Sequence, residues 1–150
     1  MPEQNGAAER SGGVIMAKAR AIRINAHLLE FLWPKTVKTA AYLTNRSPTK
    51  WLNWKTPLEE LQQALNIDNP KPNISHLRVY ECWAYLNIPY QTIPCIRKLT
   101  PRAHIGYLVG YESSNIFHIW VPAKQQVISL RDVDFDEMRL YDLTKPILLS

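Results

Sequence analysis

Among the acidic side chains of this sequence, Glu9 stands apart. It lies in PEQNGAAER, at the head of a helix-like run and among small residues. A carboxylate there suits one of two chemistries. It can offset the positive end of a helix dipole, or it can be one member of a catalytic, metal-binding set whose other members are not in this chain. The remaining acidic candidates are weaker. RDVDFDE places Asp132, Asp134 and Asp136 two residues apart, on one side of an expected strand. A calcium loop needs Gly and Glu where Glu137 and Leu143 stand, so the run reads as a solvated strand face. His27, His76, His104 and His118 show no pair at ligand spacing on one element and read as surface or boundary residues. Cys82, inside an apolar run, reads as packing. With Cys95 it forms no CxxC; a disulfide stays open, but reduced thiols in an intracellular chain fit better.

The basic side chains suggest a different chemistry. Arg10, Lys18, Arg20 and Arg23 follow Glu9 on its helix, and Arg97, Lys98 and Arg102 form a loop near Pro94 and Pro101. Such a loop suits phosphate contact or plain exposure to solvent. The net charge of +5 is unevenly spread: residues 1–50 carry 8 Lys/Arg against 3 Asp/Glu, or +5, whereas the middle third is +1 and the last third −1. That asymmetry points to a polyanion-facing segment or to a solvated basic helix face. The aromatic residues of the second half, Tyr80, Trp83, Tyr85, Tyr107, Tyr111, Phe117 and Trp120, fill a small core, with one or two free to stack on bases.

The elements that must position these residues change character along the chain. Asn5 suits an N-cap for a helix over about 6–24, weakened by Gly12 and Gly13, which imply either close approach of another backbone or simple drift. A second helix runs from about Pro34 to Asn45, with Val37, Ala40, Ala41 and Thr44 on one face. TPLEELQQAL starts a third: Thr56 caps, Pro57 fits the first position, Glu59 completes a capping box, and Leu58, Leu61 and Leu65 form a stripe. After the Pro- and Asn-rich 66–73 the period shifts. Strands are expected over 77–88, 104–112, 116–121 and 126–130, with DVDFD extending the last. Short strands with Gly106 and Gly110 at bends predict a small curved barrel. The N-terminus has no signal-peptide core, and no run is apolar enough to span a bilayer, so no membrane partner is expected.

Six segments in order, PEQNGAAER, AAYLTNRSP, TPLEEL, SHLRVYECWAYLNIP, KLTPRAHIGYLVGYE and SLRDVDFDE, span residues 2–137. They resemble the C-terminal part of the integrase region of copia-type LTR retrotransposons. The resemblance implies an α+β chain: residues 1–65 as the closing helices of an RNase H-like catalytic core, 66–74 as a linker, 75–137 as an SH3-like β-barrel and 138–150 as a tail. It also implies that Glu9 is the third carboxylate of an Asp, Asp, Glu set. In an intact parent that set holds Mg²⁺ or Mn²⁺ for in-line displacement at phosphate. Only eight residues precede Glu9 and none is Asp, so this chain is expected to need no cofactor and to catalyse nothing alone. The implied partners are nucleic acid, DNA in the first place, and other integrase subunits, with nuclear access. Arg10, Lys18, Arg20, Arg97, Lys98 and Arg102 are the candidate nucleic-acid contacts. The expected function is therefore that of an integrase fragment in DNA integration. The alternatives are a non-catalytic binding or assembly module and a relic without function. Two positions depart from the family pattern: Glu81 stands where Gly is usual, and Gly12-Gly13 replace polar or basic residues.

Overall fold

The computed structural model describes residues 2–27, 29–87 and 103–142. They form an α+β arrangement of two compact units, one made of the residues up to Asn25 with Leu29–Leu77, the other of Ala26 and His27 with the residues from Arg78 on. The first unit contains α1 (Pro2–Asn25), α2 (Trp33–Asn45) and α3 (Pro57–Ala64), with 3-10 turns at Glu30–Leu32 and Lys50–Leu52.

Helix α1 starts earlier than its capping pattern suggests. Pro2 is compatible with a first helical position, and Asn5 lies inside the helix rather than capping it. Gly12 and Gly13 have open space around them: a Cβ at either would meet nothing within 4 Å. Among the described residues no backbone approaches there, so the glycines only weaken the helix. Helix α1 packs along α2, where the buried face is Thr36, Thr39 and Ala40. This face is rotated from the expected Val37, Ala40, Ala41 and Thr44. Small side chains, Ala19 on α1 and Ala40 on α2, are the ones fully covered, and Val37 is left at the margin. Two threonines of α2 bond back along the helix, Thr36 Oγ1 to the Leu32 carbonyl at 3.4 Å and Thr44 Oγ1 to that of Ala40 at 2.7 Å. At α3, Thr56 Oγ1 accepts the Glu59 backbone N–H at 3.1 Å, as a cap should. The leucine stripe does not become core, for Leu61 and Leu65 are both exposed. The helix is only eight residues long, and Leu65 lies just past its end.

The second unit is a five-stranded antiparallel sheet: β1 (Cys82–Asn87), β2 (Ala103–Tyr111), β3 (Phe117–Val121), β4 (Gln126–Leu130) and β5 (Asp134–Leu140), in the order β4-β3-β2-β1-β5. Strand β1 begins at Cys82, not 77, because the chain turns just before it. The Cys82 N–H donates to the Val79 carbonyl at 3.2 Å and Glu81 takes a left-handed backbone, φ 70°. Tyrosines fix this approach. Tyr111 Oη accepts the Arg78 N–H at 3.1 Å and donates to the Arg78 carbonyl at 2.7 Å, and Tyr80 donates to the Val109 carbonyl at 2.9 Å.

The DVDFD segment does not prolong β4. Residues 131–133 break the chain direction, with Asp132 at φ 46°, and β5 crosses to pair with β1. It runs to Leu140, beyond the expected limit at 137, so the acidic residues are split between a turn and a strand. The sheet curls. Phe117 of β3 and Phe135 of β5 lie three places apart in strand order, yet their ring centroids are 4.9 Å apart. Gly106 and the register shift between Leu108 and Gly110 sit where bends were expected. A Cβ at Gly106 would collide with Ile119 Cγ2 and lie 2.9 Å from the Trp120 carbonyl oxygen. The core inside the curl is Cys82, Leu108, Val109, Ile119 and Val121.

Candidate nucleic-acid interface

Glu9 is exposed and lies two turns into α1, too far from the first turn for dipole compensation. No group of three or more His, Cys, Asp or Glu among the described residues could hold a metal ion. One exposed carboxylate does not fit a pair of divalent ions, because each hydrated cation needs further anionic ligands.

The basic residues of α1 do not share one face. At about 100° per residue, Lys18 and Arg20 flank the buried Ala19 on opposite sides of the seam with α2. Lys18 Nζ donates to Thr44 Oγ1 at 3.1 Å on one side. On the other side, Arg20 and Arg23 border a shallow groove of about 190 Å³ lined by Met16, Ala19, Trp33, Thr36 and Val37. Arg10 bonds within its own helix, Nε to the Gly6 carbonyl at 3.2 Å. Arg97, Lys98 and Arg102, together with Cys95, lie outside the described residues.

A basic segment further along was not legible as a motif. Residues 31–58 contain Lys35, Lys38, Arg46, Lys50 and Lys55 and no acidic residue. Arg46 is structural, its guanidinium 3.4 Å from the Tyr42 ring centroid. Lys55 is tied to Glu60 and to Gln63, each at 2.9 Å. Lys38 and Lys50 are exposed. Beside Lys50 stand Trp51 and Trp54, 96% and 71% exposed. The signal that finds this segment is the run of cations uninterrupted by acids, which a motif search passes over.

Exposed His27 and half-buried His104 are as expected, but two histidines are not. His76 and His118 are buried, His76 Nε2 paired with Tyr42 Oη at 2.8 Å and His118 Nε2 with Glu112 Oε2 at 3.3 Å. Each meets a polar partner from another segment of its own unit, which is why burial is tolerated. Cys82 is fully buried, and burial first, then Glu137, pushes its thiol up to about 12. It is inert packing. Asp134 is exposed, while Asp136 Oδ2 pairs with Arg139 Nε at 3.3 Å.

Glu81 is the most anomalous residue of the strand unit. It is 2% exposed, its Oε1 has no hydrogen-bond partner among the described residues, and burial pushes its carboxyl up to about 8. A left-handed backbone favours Gly. The position where the resemblance calls for Gly is therefore the one whose backbone demands it.

Residues 80–148 match the family model of the retroviral polymerase SH3-like domain. The fold thus defines a class: an α+β chain whose strand unit is a polymerase-type SH3-like domain. Across both units the chain is 35% identical over 144 residues to the Retrovirus-related Pol polyprotein from transposon TNT 1-94 of Nicotiana tabacum, covering 91% of this chain and 10% of that protein. It is 29% identical over 137 residues to the one from transposon RE2 of Arabidopsis thaliana, covering 91% of this chain and 9% of that protein. For the one from transposon RE1 of the same plant the figure is 28% over 138 residues, with the same coverage. The chain matches a fragment of copia-type retrotransposon Pol polyproteins and spans about a tenth of the length of these relatives. No solved structure matches it.

Proposed function

We propose that this chain is a nucleic-acid-holding segment of the integrase region of a retrotransposon Pol polyprotein, and that it performs no phosphoryl transfer by itself. The observation that carries the reading is the placement of charge. Residues 1–50 account for the whole net charge of +5, and the cations continue without an acid through residues 31–58. Phosphate contacts from such a surface release counterions, so affinity falls steeply with salt and depends little on sequence. Within a larger parent, Glu9 acts as one carboxylate of the catalytic set; among the described residues it has no companions that could complete a metal site. The strand unit serves as a rigid module for assembly or for a further nucleic-acid contact through residues 97–102.

The test is a salt titration of the purified chain on a DNA duplex, with a strand-transfer assay in Mg²⁺ alongside. The reading expects a steep linear loss of log affinity with log salt and no turnover. Affinity unchanged between low and physiological salt overturns the binding role, and turnover by a homogeneous monomer overturns the assignment as non-catalytic.

A further inference from the structure

We infer that the turn over residues 49–55 is a stacking platform for single-stranded nucleic acid, with Trp51 and Trp54 taking bases and Lys50 a phosphate. The inference rests on the nucleic-acid reading above and adds to it a site and a strand state.

The turn is closed by its own backbone. The Thr49 N–H donates to the Lys55 carbonyl at 3.1 Å and the Trp54 N–H to the Thr49 carbonyl at 2.9 Å; the N–H groups of Leu52, Asn53 and Lys55 close three more short bonds within it. Five bonds inside seven residues make a pre-formed knuckle whose shape does not depend on its two indoles. Both indoles point to water, Trp51 at 96% and Trp54 at 71% exposure. Tryptophan is highly buried on average, so two in one turn this exposed among the described residues are unusual. Trp54 also takes φ 64°, directly after Asn53 at φ 52°. A bulky residue in the left-handed region is strained, and the exposed indole gains little packing in return.

Charge selects the occupant. Across residues 31–58 every ionised side chain is a cation, and Lys50, exposed, shares the 3-10 turn with Trp51. An apolar protein surface would need no such field, whereas a polyanion does. Indole faces bind bases by stacking, which is possible only where bases are free of a partner strand. A duplex offers the lysine its phosphates but hides its bases from the two rings.

The experiment measures affinity of the full chain for a labelled thymidine homopolymer and for a duplex of equal length, in the same salt. Two variants are compared with the parent: Trp51→Ala, and Trp54→Gly, which also relieves the left-handed strain. Each is expected to lose about tenfold in single-strand affinity, the scale of one lost base stack, with duplex affinity unchanged. Trp54→Gly should at the same time melt no lower than the parent, which separates binding from folding. If the parent binds both ligands and neither variant weakens the single strand, the platform is wrong while the nucleic-acid reading stands. If the parent binds neither ligand, both fall. If the variants lose duplex and single strand equally, the turn is a general phosphate contact, and the stacking role is overturned.

Discussion

The two units of this chain are stabilised very differently. In the strand unit the buried apolar residues are large and lie on both faces of the sheet: Leu86, Tyr107, Leu108, Val109, Tyr111, Ile119, Trp120 and Val121. Aromatic pairs reinforce it, Tyr107 with Tyr141 at 4.7 Å and Phe117 with Phe135 at 4.9 Å between centroids. In the helical unit the buried apolar residues of the helices and their turns are Ala19, Leu32 and Ala40, while Val14, Trp33 and Leu61 are half exposed or more. Hydrophobic stabilisation scales with the apolar area removed from water, so the strand unit supports itself far better. The helical unit carries instead the cations and the exposed indoles. Stability and the proposed recognition are divided between the two regions, and Glu81 is a liability of the stable one.

That contrast can be broken most directly at the cores. Leu108→Ala should destabilise the strand unit by about 2–5 kcal/mol through lost burial and a cavity, whereas Val14→Ala should change stability by less than about 0.5 kcal/mol; urea unfolding followed by tryptophan fluorescence reads both. Equal losses would erase the distinction between the units.

Glu81 gives the next largest effect. Glu81→Gly removes a left-handed side chain and a buried carboxyl together, and should stabilise by roughly 1–3 kcal/mol. The pH dependence follows from the raised carboxyl. Its native form holds a proton from the ordinary range near 4.5 up to about 8, where the unfolded chain has released it. Stability from this group is thus fully present at low pH, declines as pH rises through that window, and is level above it. Glu81→Gln should flatten that decline in a series of thermal melts, and a slope that survives the substitution places the titration elsewhere. The smallest effects belong to α1. Gly12→Ala and Gly13→Ala each meet open space and should raise helicity and stability by about 1 kcal/mol, measured by circular dichroism; a loss would mean that something does cover those positions.

Much of this architecture can be read without coordinates. The switch from helical to strand period after the 66–73 segment, the Thr56 cap and the hairpin of β3 and β4 follow from local chemistry, since each depends on neighbours in sequence. What escapes is whatever depends on distant partners. The turn at Glu81 that delays β1, the crossing of β5 to β1, the burial of His76 against Tyr42 and the rotated face of α2 are set by tertiary contacts that no period records. The site divides the same way. Lys18 and Arg20 are two apart in sequence and look like one basic patch, but helical geometry sends them to opposite sides of Ala19. Trp51 and Trp54 belong to no motif, and only the closed 49–55 turn shows them facing water.

The central claim, that the helical unit holds nucleic acid while the strand unit is the self-supporting module, is tested most directly by amide hydrogen exchange on the full chain with and without a single-stranded oligonucleotide. The account predicts slow exchange across β1–β3 in both states, with new protection on binding confined to α1, α2 and residues 46–55. New protection confined to β1–β5, with none in residues 2–55, would contradict it.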